Sequence, residues 1–156
     1  MKKLSFALLG TFALAGAAFA EDSISIEPGE WSFENTMAVK VDMGGGQVFN
    51  MPARTFGGTE CITPEDATLT PERLIKDMEE DGGGACEYTD ISVSGLTMTS
   101  TIKCLEDGME MTGNYSFTVG ADRRSGSGTL DMTGNMEGAS MMSNGTLSGA
   151  YLGACD

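Results

Sequence analysis

Taken by itself, the sequence predicts a mainly β protein: an antiparallel meander forming a strongly curved sheet or a partly closed barrel, with one or two short helices at about residues 63–80 and two disulfides. Three observations carry this prediction. Apolar and polar residues alternate along much of the chain, as in Met109, Met111, Tyr115, Phe117 and Val119, which is the pattern of strands with one buried face. The 22 glycines punctuate these runs at short intervals, the spacing of hairpin turns in a sheet that bends or closes on itself. Four cysteines, an even number, are spread along the chain after its apolar start, as in a disulfide framework.

The chain begins MKKLSFALLGTFALAGAAFA. A Lys2-Lys3 charge, a short apolar run and the small-residue pattern Ala18-Phe19-Ala20 predict a signal peptide, residues 1–20, cleaved after Ala20. A membrane span of about 20 residues would run into Glu21-Asp22, and no later apolar run replaces it. No transmembrane segment is therefore expected after cleavage. No cysteine stands directly after the cleavage site, so an N-terminal lipid anchor is not indicated. Residues 21–156 are enough for a single β-rich domain, and its expected address is the periplasm. Cleavage removes two lysines and no acid, deepening the formal charge from −14 to −16. That charge disfavours nucleic acid and anionic lipid surfaces. The chain has 0 histidines, which removes the commonest general base and the commonest nitrogen ligand. No catalytic residue and no cofactor are predicted.

The first strong strand contains Trp31, Phe33, Met37, Val39 and Val41 on one parity, interrupted by Asn35. Gly44-Gly45-Gly46 reads as a turn, because a phosphate loop would need a lysine and a following helix. A less regular extended stretch follows, broken by Pro52 and Gly57-Gly58. In TPEDATLTPERLIKDMEED, both Thr63-Pro64-Glu65-Asp66 and Thr70-Pro71-Glu72 place a capping hydroxyl before a proline suited to a first helical position. The second helix is expected over about 71–80, with Leu74, Ile75 and Met78 against the sheet, ending at Gly82-Gly83-Gly84. Glu79-Glu80-Asp81 lacks the alternation of a calcium loop and reads as solvated surface.

Residues 86–104 read CEYTDISVSGLTMTSTIKC. A two-residue turn at Ser94-Gly95 sets Val93 opposite Leu96 and Ile91 opposite Met98, so that the apolar faces coincide. One extra residue within Thr99-Ser100-Thr101, a β-bulge, then brings Tyr88 opposite Ile102 and Cys86 opposite Cys104. The expected bridge is Cys86–Cys104, which leaves Cys61 to pair with Cys155. No Cys-x-x-Cys pair is present, so a zinc ribbon or a thioredoxin-type redox site is not supported. Three further strands follow, separated by turns near Gly120-Ala121-Asp122-Arg123-Arg124 and before Ala139.

Of the 12 methionines, all but Met1 survive cleavage, and several cluster: Met109 with Met111, Met132 with Met136, and Met141 with Met142. Methionine packs irregular cores and lines adaptable apolar grooves. Trp31, Phe33, Met98, Met109, Met111, Tyr115 and Phe117 are the candidate lining of such a groove. Thioethers are also soft ligands suited to Cu(I), and Met109, Met111, Met141 and Met142 are the candidates for that alternative.

Pro28-Gly29-Glu30-Trp31, the stretch Cys61-Ile62-Thr63-Pro64-Glu65-Asp66, the cysteine hairpin and the ending Leu152-Gly153-Ala154-Cys155-Asp156 together resemble the bacterial domain-of-unknown-function family 3617, from about residue 27 to the end. The resemblance implies an exported protein without an established activity and supplies no catalytic residue. Combined with the residues themselves, it leads to the expectation of a non-enzymatic periplasmic envelope protein that binds an apolar small molecule or a protein partner on a concave sheet. A methionine-based Cu(I)-binding protein is the alternative.

Overall fold

The computed structural model describes residues 23–155 except 74, 75, 77–85, 107, 108 and 137. The expected signal peptide lies outside the described residues. So do Leu74, Ile75 and Met78 of the expected helix, the Glu79-Glu80-Asp81 run and the glycines after it. Ten strands follow one another among the described residues: β1 (Ile24–Ser25), β2 (Gly29–Asp42), β3 (Val48–Asn50), β4 (Arg54–Ile62), β5 (Thr68–Leu69), β6 (Cys86–Ser94), β7 (Thr97–Glu106), β8 (Met109–Val119), β9 (Ser125–Met136) and β10 (Ala139–Gly153).

The meander is realised from β6 to β10, each strand pairing antiparallel with the next. β2 then pairs with β10, and β3 and β4 run along the other side of β2. Among the described residues no pairing joins β6 to the β3/β4 edge, so the sheet is open. No described helix is long and apolar enough to cross a membrane.

Register decides what each face carries. The rank Trp31, Tyr151 and Glu60 lies on one face, as do Met98, Phe117, Gly128, Leu147 and Asn35 in the next rows. The opposite face carries a row of hydroxyls that crosses seven strands without a break: Ser92, Thr99, Ser116, Thr129, Thr146, Thr36 and Thr55. Within it Ser92 and Thr99 share a hydrogen bond of 2.9 Å, as do Thr36 and Thr55. β-branched hydroxyl residues suit a strand whose side chains meet water.

Large side chains on the apolar face lie over glycines. A Cβ on Gly126 would stand 2.4 Å from the Phe117 ring, and one on Gly149 would stand 3.3 Å from the Phe33 ring. The ring supplies the packing that the glycine lacks. Trp31 is 2% exposed and stacks against Phe33 at 6.2 Å between centroids, with the Tyr151 ring edge-on at 6.1 Å.

The N-terminal segment and residues 63–73 cover one end of this face. Ile24 pairs with Leu69 and is buried with Met98 and Val119, while Ile26, Val93, Leu96 and Phe117 pack around them. The β8–β9 turn holds the segment in place: Glu27 N donates to Arg123 O at 2.9 Å, and Arg123 Nη1 donates to Ser25 O at 2.8 Å. Trp31 Nε1 donates to Glu27 O at 2.8 Å.

The two disulfides pair as expected, Cys86 with Cys104 and Cys61 with Cys155. Two details of the hairpin differ. The turn is Gly95-Leu96, with Val93 opposite Met98, because Gly95 takes the positive φ of 61° that the first central position of a II′ turn requires. The bulge falls between Thr89 and Ser92 on β6 rather than within Thr99-Ser100-Thr101, with Asp90 at φ 51°, a conformation that aspartate tolerates better than a β-branched threonine. The first expected helix is a single turn over 64–67, closed by Ala67 N donating to Thr63 O at 2.9 Å. The chain then enters β5. Pro71, Glu72, Arg73 and Lys76 are helical, and Thr70 Oγ1 accepts from Arg73 N at 3.3 Å as the expected cap.

Candidate ligand-binding face

Two pairs of alternate positions, Trp31 and Phe33 on β2 and Tyr115 and Phe117 on β8, place aromatic rings on one face of strands separated by β10 and β9. Between them, β10 and β9 present Leu147, Gly149 and Gly128. The small residues lower the floor there. Ile26, Ile62 and Leu69 face this floor from the covering segment and its approach, and together they enclose a cavity of about 380 Å³. A second cavity of about 260 Å³ continues along the same face, lined by Met37, Phe56, Leu130 and Gly145. Asn35 and Leu147 line both. The result is an apolar trough with two lobes, the outer one bordered by Phe56 at 58% exposure.

Few charges enter the trough. Glu60 reaches it from β4, and Asp66 and Arg73 stand at its rim as an ion pair. Asp66 also accepts from Thr63 Oγ1 at 2.6 Å. The Thr63 hydroxyl, followed by the Arg73 guanidinium, holds the Asp66 carboxyl below its ordinary value. Burial pushes the Tyr115 phenol up to about 12, with the nearby Tyr88 phenol adding to the shift, so Tyr115 is a neutral hydroxyl throughout the physiological range. Beside it, directly opposite on β7, Ser100 is 4% exposed and its Oγ has no hydrogen-bond partner.

The expected groove residues divide between three places. Trp31, Phe33, Tyr115 and Phe117 line the larger cavity. Met98 is on the same face but is 1% exposed in the core beneath β1. Met109 and Met111 lie at the far end of the face, where Met111 is opposite Gly134, and Gly134 is opposite Met141. Met142 points to the other face, 44% exposed, between Thr133 and Lys40. The expected copper set is thus split across the sheet, whereas Met132 joins Met109, Met111 and Met141 on one side. Among the described residues no group of three His, Cys, Asp or Glu side chains is placed to hold a metal.

Leu130 is legible from its alternation with Met132 on β9, and Leu147 from its place between Gly145 and Gly149 on β10. Ile26, Leu69, Asp66 and Arg73 come from the covering segment, whose position over the face has no periodic signal.

An open antiparallel sheet with an apolar trough on one face, hydroxyls on the other and two disulfides defines the class of this protein. The two bridges fit an oxidising location outside the cytoplasm. The chain belongs to the family described as protein of unknown function (DUF3617), whose family model matches residues 26–155. No curated protein and no solved structure matches the chain.

Proposed function

We propose that the protein is a non-enzymatic periplasmic component of the cell envelope that holds an elongated apolar small molecule in the trough between the sheet and residues 63–73. The carrying observation is that the two cavities adjoin on one face, sharing Asn35 and Leu147 in their linings, with aromatic and aliphatic side chains along both. A mostly apolar concavity with a few polar groups is the usual form of a small-molecule site. The non-enzymatic reading is supported by the 0 histidines and by the pairing of Asp66 with Arg73 at the rim. The signal-like sequence of residues 1–20, read from Lys2-Lys3, the apolar run and Ala18-Phe19-Ala20, supports the compartment together with the disulfides.

Trp31 is the 1 tryptophan of the chain and lines the larger cavity, so its fluorescence reports occupancy directly. Titration with a long-chain alcohol or an environment-sensitive apolar dye is expected to shift Trp31 emission saturably. Leu147→Glu, which introduces a charge where the two lobes meet, should abolish the shift while the disulfides and circular dichroism stay intact. No saturable change in the native protein overturns the proposal. Native mass spectrometry that finds a bound polypeptide instead of a small molecule assigns the face to an envelope partner.

A further inference from the structure

We infer that Met109, Met111, Met132 and Met141 form a Cu(I) site at the end of the apolar face opposite the covering segment. β8, β9 and β10 bring these four thioethers to one side of the sheet. Their centre is Gly134. Met111 and Met141 are its direct neighbours on the two flanking strands, and Met132 precedes it by two positions on its own strand. Two strand spacings set the Met111 and Met141 backbones about 10 Å apart. A glycine between them leaves that space to their side chains.

Methionine side chains of β8 enter it. A Cβ on Gly134 would stand 2.8 Å from Met111 Cγ and 3.6 Å from Met109 Cγ. A Cβ on Gly113 would stand 2.7 Å from Met132 Cγ. Met111 therefore leans from β8 toward Gly134 of β9, and Met132 leans from β9 toward Gly113 of β8. Met98 offers the contrast within the same protein: it is 1% exposed and fully engaged in the core, whereas Met109, Met111, Met132 and Met141 are only half-buried. Half-buried thioethers keep their lone pairs accessible to an incoming ion.

Soft sulfur ligands select Cu(I) over the harder divalent ions, and a d¹⁰ ion accepts the irregular three- or four-sulfur geometry that flexible methionines provide. The formal charge of −14 favours accumulation of a cation at the surface. Among the described residues all cysteines are oxidised, so thiolates do not compete for the ion. Binding involves no redox step, since Cu(I) arrives and stays reduced.

The test is an anaerobic titration of the full disulfide-bonded chain with Cu(I) against a chromophoric Cu(I) chelator. One equivalent is expected to transfer to the protein. Loss of outer ligand support alone typically lowers metal affinity roughly 10–100-fold, so Met111→Leu with Met132→Leu should weaken binding by at least about 100-fold. Met142→Leu, on the other face, should leave it unchanged. Leucine conserves volume and apolarity, and the native chain provides a second readout that needs no variant. With ¹³C-methyl methionine, Ag(I) should shift the resonances of Met109, Met111, Met132 and Met141 together and leave Met98 and Met142 in place. Failure to take Cu(I) from the chelator, equal binding by the double variant, or Ag(I) shifts confined to other methionines would each overturn the site. Trp31 fluorescence reads the trough separately, so either proposal can fail alone.

Discussion

Cys61 and Cys155 are joined across the end of a strand that lies between them. Cys61 on β4 is opposite Glu30 of β2, Gly153 of β10 is opposite the same Glu30 from the other side, and the bridge spans 5.7 Å between Cα atoms. The bond thus ties three strands at one corner. Cys86–Cys104, by comparison, joins directly opposite residues of one hairpin with 4.0 Å between Cα atoms.

The two bridges should differ in worth because they close loops with sequence separations of 94 and 18. In the chain-entropy description a loop of about 100 residues is worth about 4.7 kcal/mol and one of about 15 residues about 3 kcal/mol. Cys61→Ser with Cys155→Ser is therefore expected to lose more stability than Cys86→Ser with Cys104→Ser. Urea unfolding of both double variants checks the order. Equal losses would show that the folded state, and not the unfolded chain, sets the contribution.

Gly29 begins β2 at φ 146°, and a Cβ there would stand 2.3 Å from Gly153 O and 2.5 Å from the Tyr151 ring. Gly29→Ala combines an unfavourable backbone conformation with an obstructed corner. The expected loss is about 2–4 kcal/mol, measured as a lowered urea midpoint with an unchanged m-value. A loss below about 0.5 kcal/mol, ordinary for surface changes, would mean that the corner relaxes freely.

Ser100 Oγ is buried without a partner between Met98 and Ile102 on the apolar face. An unsatisfied buried hydroxyl costs roughly 1–3 kcal/mol, so Ser100→Ala is expected to raise stability by about 1 kcal/mol. Thermal denaturation of the variant measures it. A lowered melting temperature would reveal a hydrogen bond that the hydroxyl makes through solvent.

Tyr115 sets an alkaline limit. Its phenol ionises near 10 when unfolded and at about 12 when folded. Between those values the unfolded chain holds fewer protons than the native one, so stability falls as pH rises from 10 toward 12. The full effect is on the order of 2 kcal/mol. Tyr115→Phe should flatten this part of the stability profile and leave neutral pH nearly unaffected. An unchanged alkaline slope in the variant would assign it to other groups.

Much of the apolar face was legible because alternation is a local property. Trp31, Phe33, Tyr115 and Phe117 followed from their parity, and the cysteine pairing followed from hairpin arithmetic. The same arithmetic erred by one residue at the turn, where the positive φ belongs to the first central residue and so moves the turn centre to Gly95-Leu96. The bulge moved to Asp90 for a related reason of backbone preference. What periodicity does not encode is which distant strands meet. The pairing of β2 with β10 unites residues distant in the chain, from Asp42 with Ser140 to Glu30 with Gly153, and it brings Leu147 beside Asn35 where the two lobes adjoin. The covering segment is held by two-residue strands and by hydrogen bonds to the backbone and side chain of Arg123, too short to leave a pattern.

The row of hydroxyls from Ser92 to Thr55 has a consequence for how this protein meets its surroundings. A charged coat loses its hold on water when acid neutralises it or salt screens it. Serine and threonine keep their hydration under both conditions, since they neither titrate in this range nor depend on long-range fields. The row itself therefore stays wetted through swings in acidity and salinity, while the acids that share its face, Glu34, Glu110 and Asp131, respond to them.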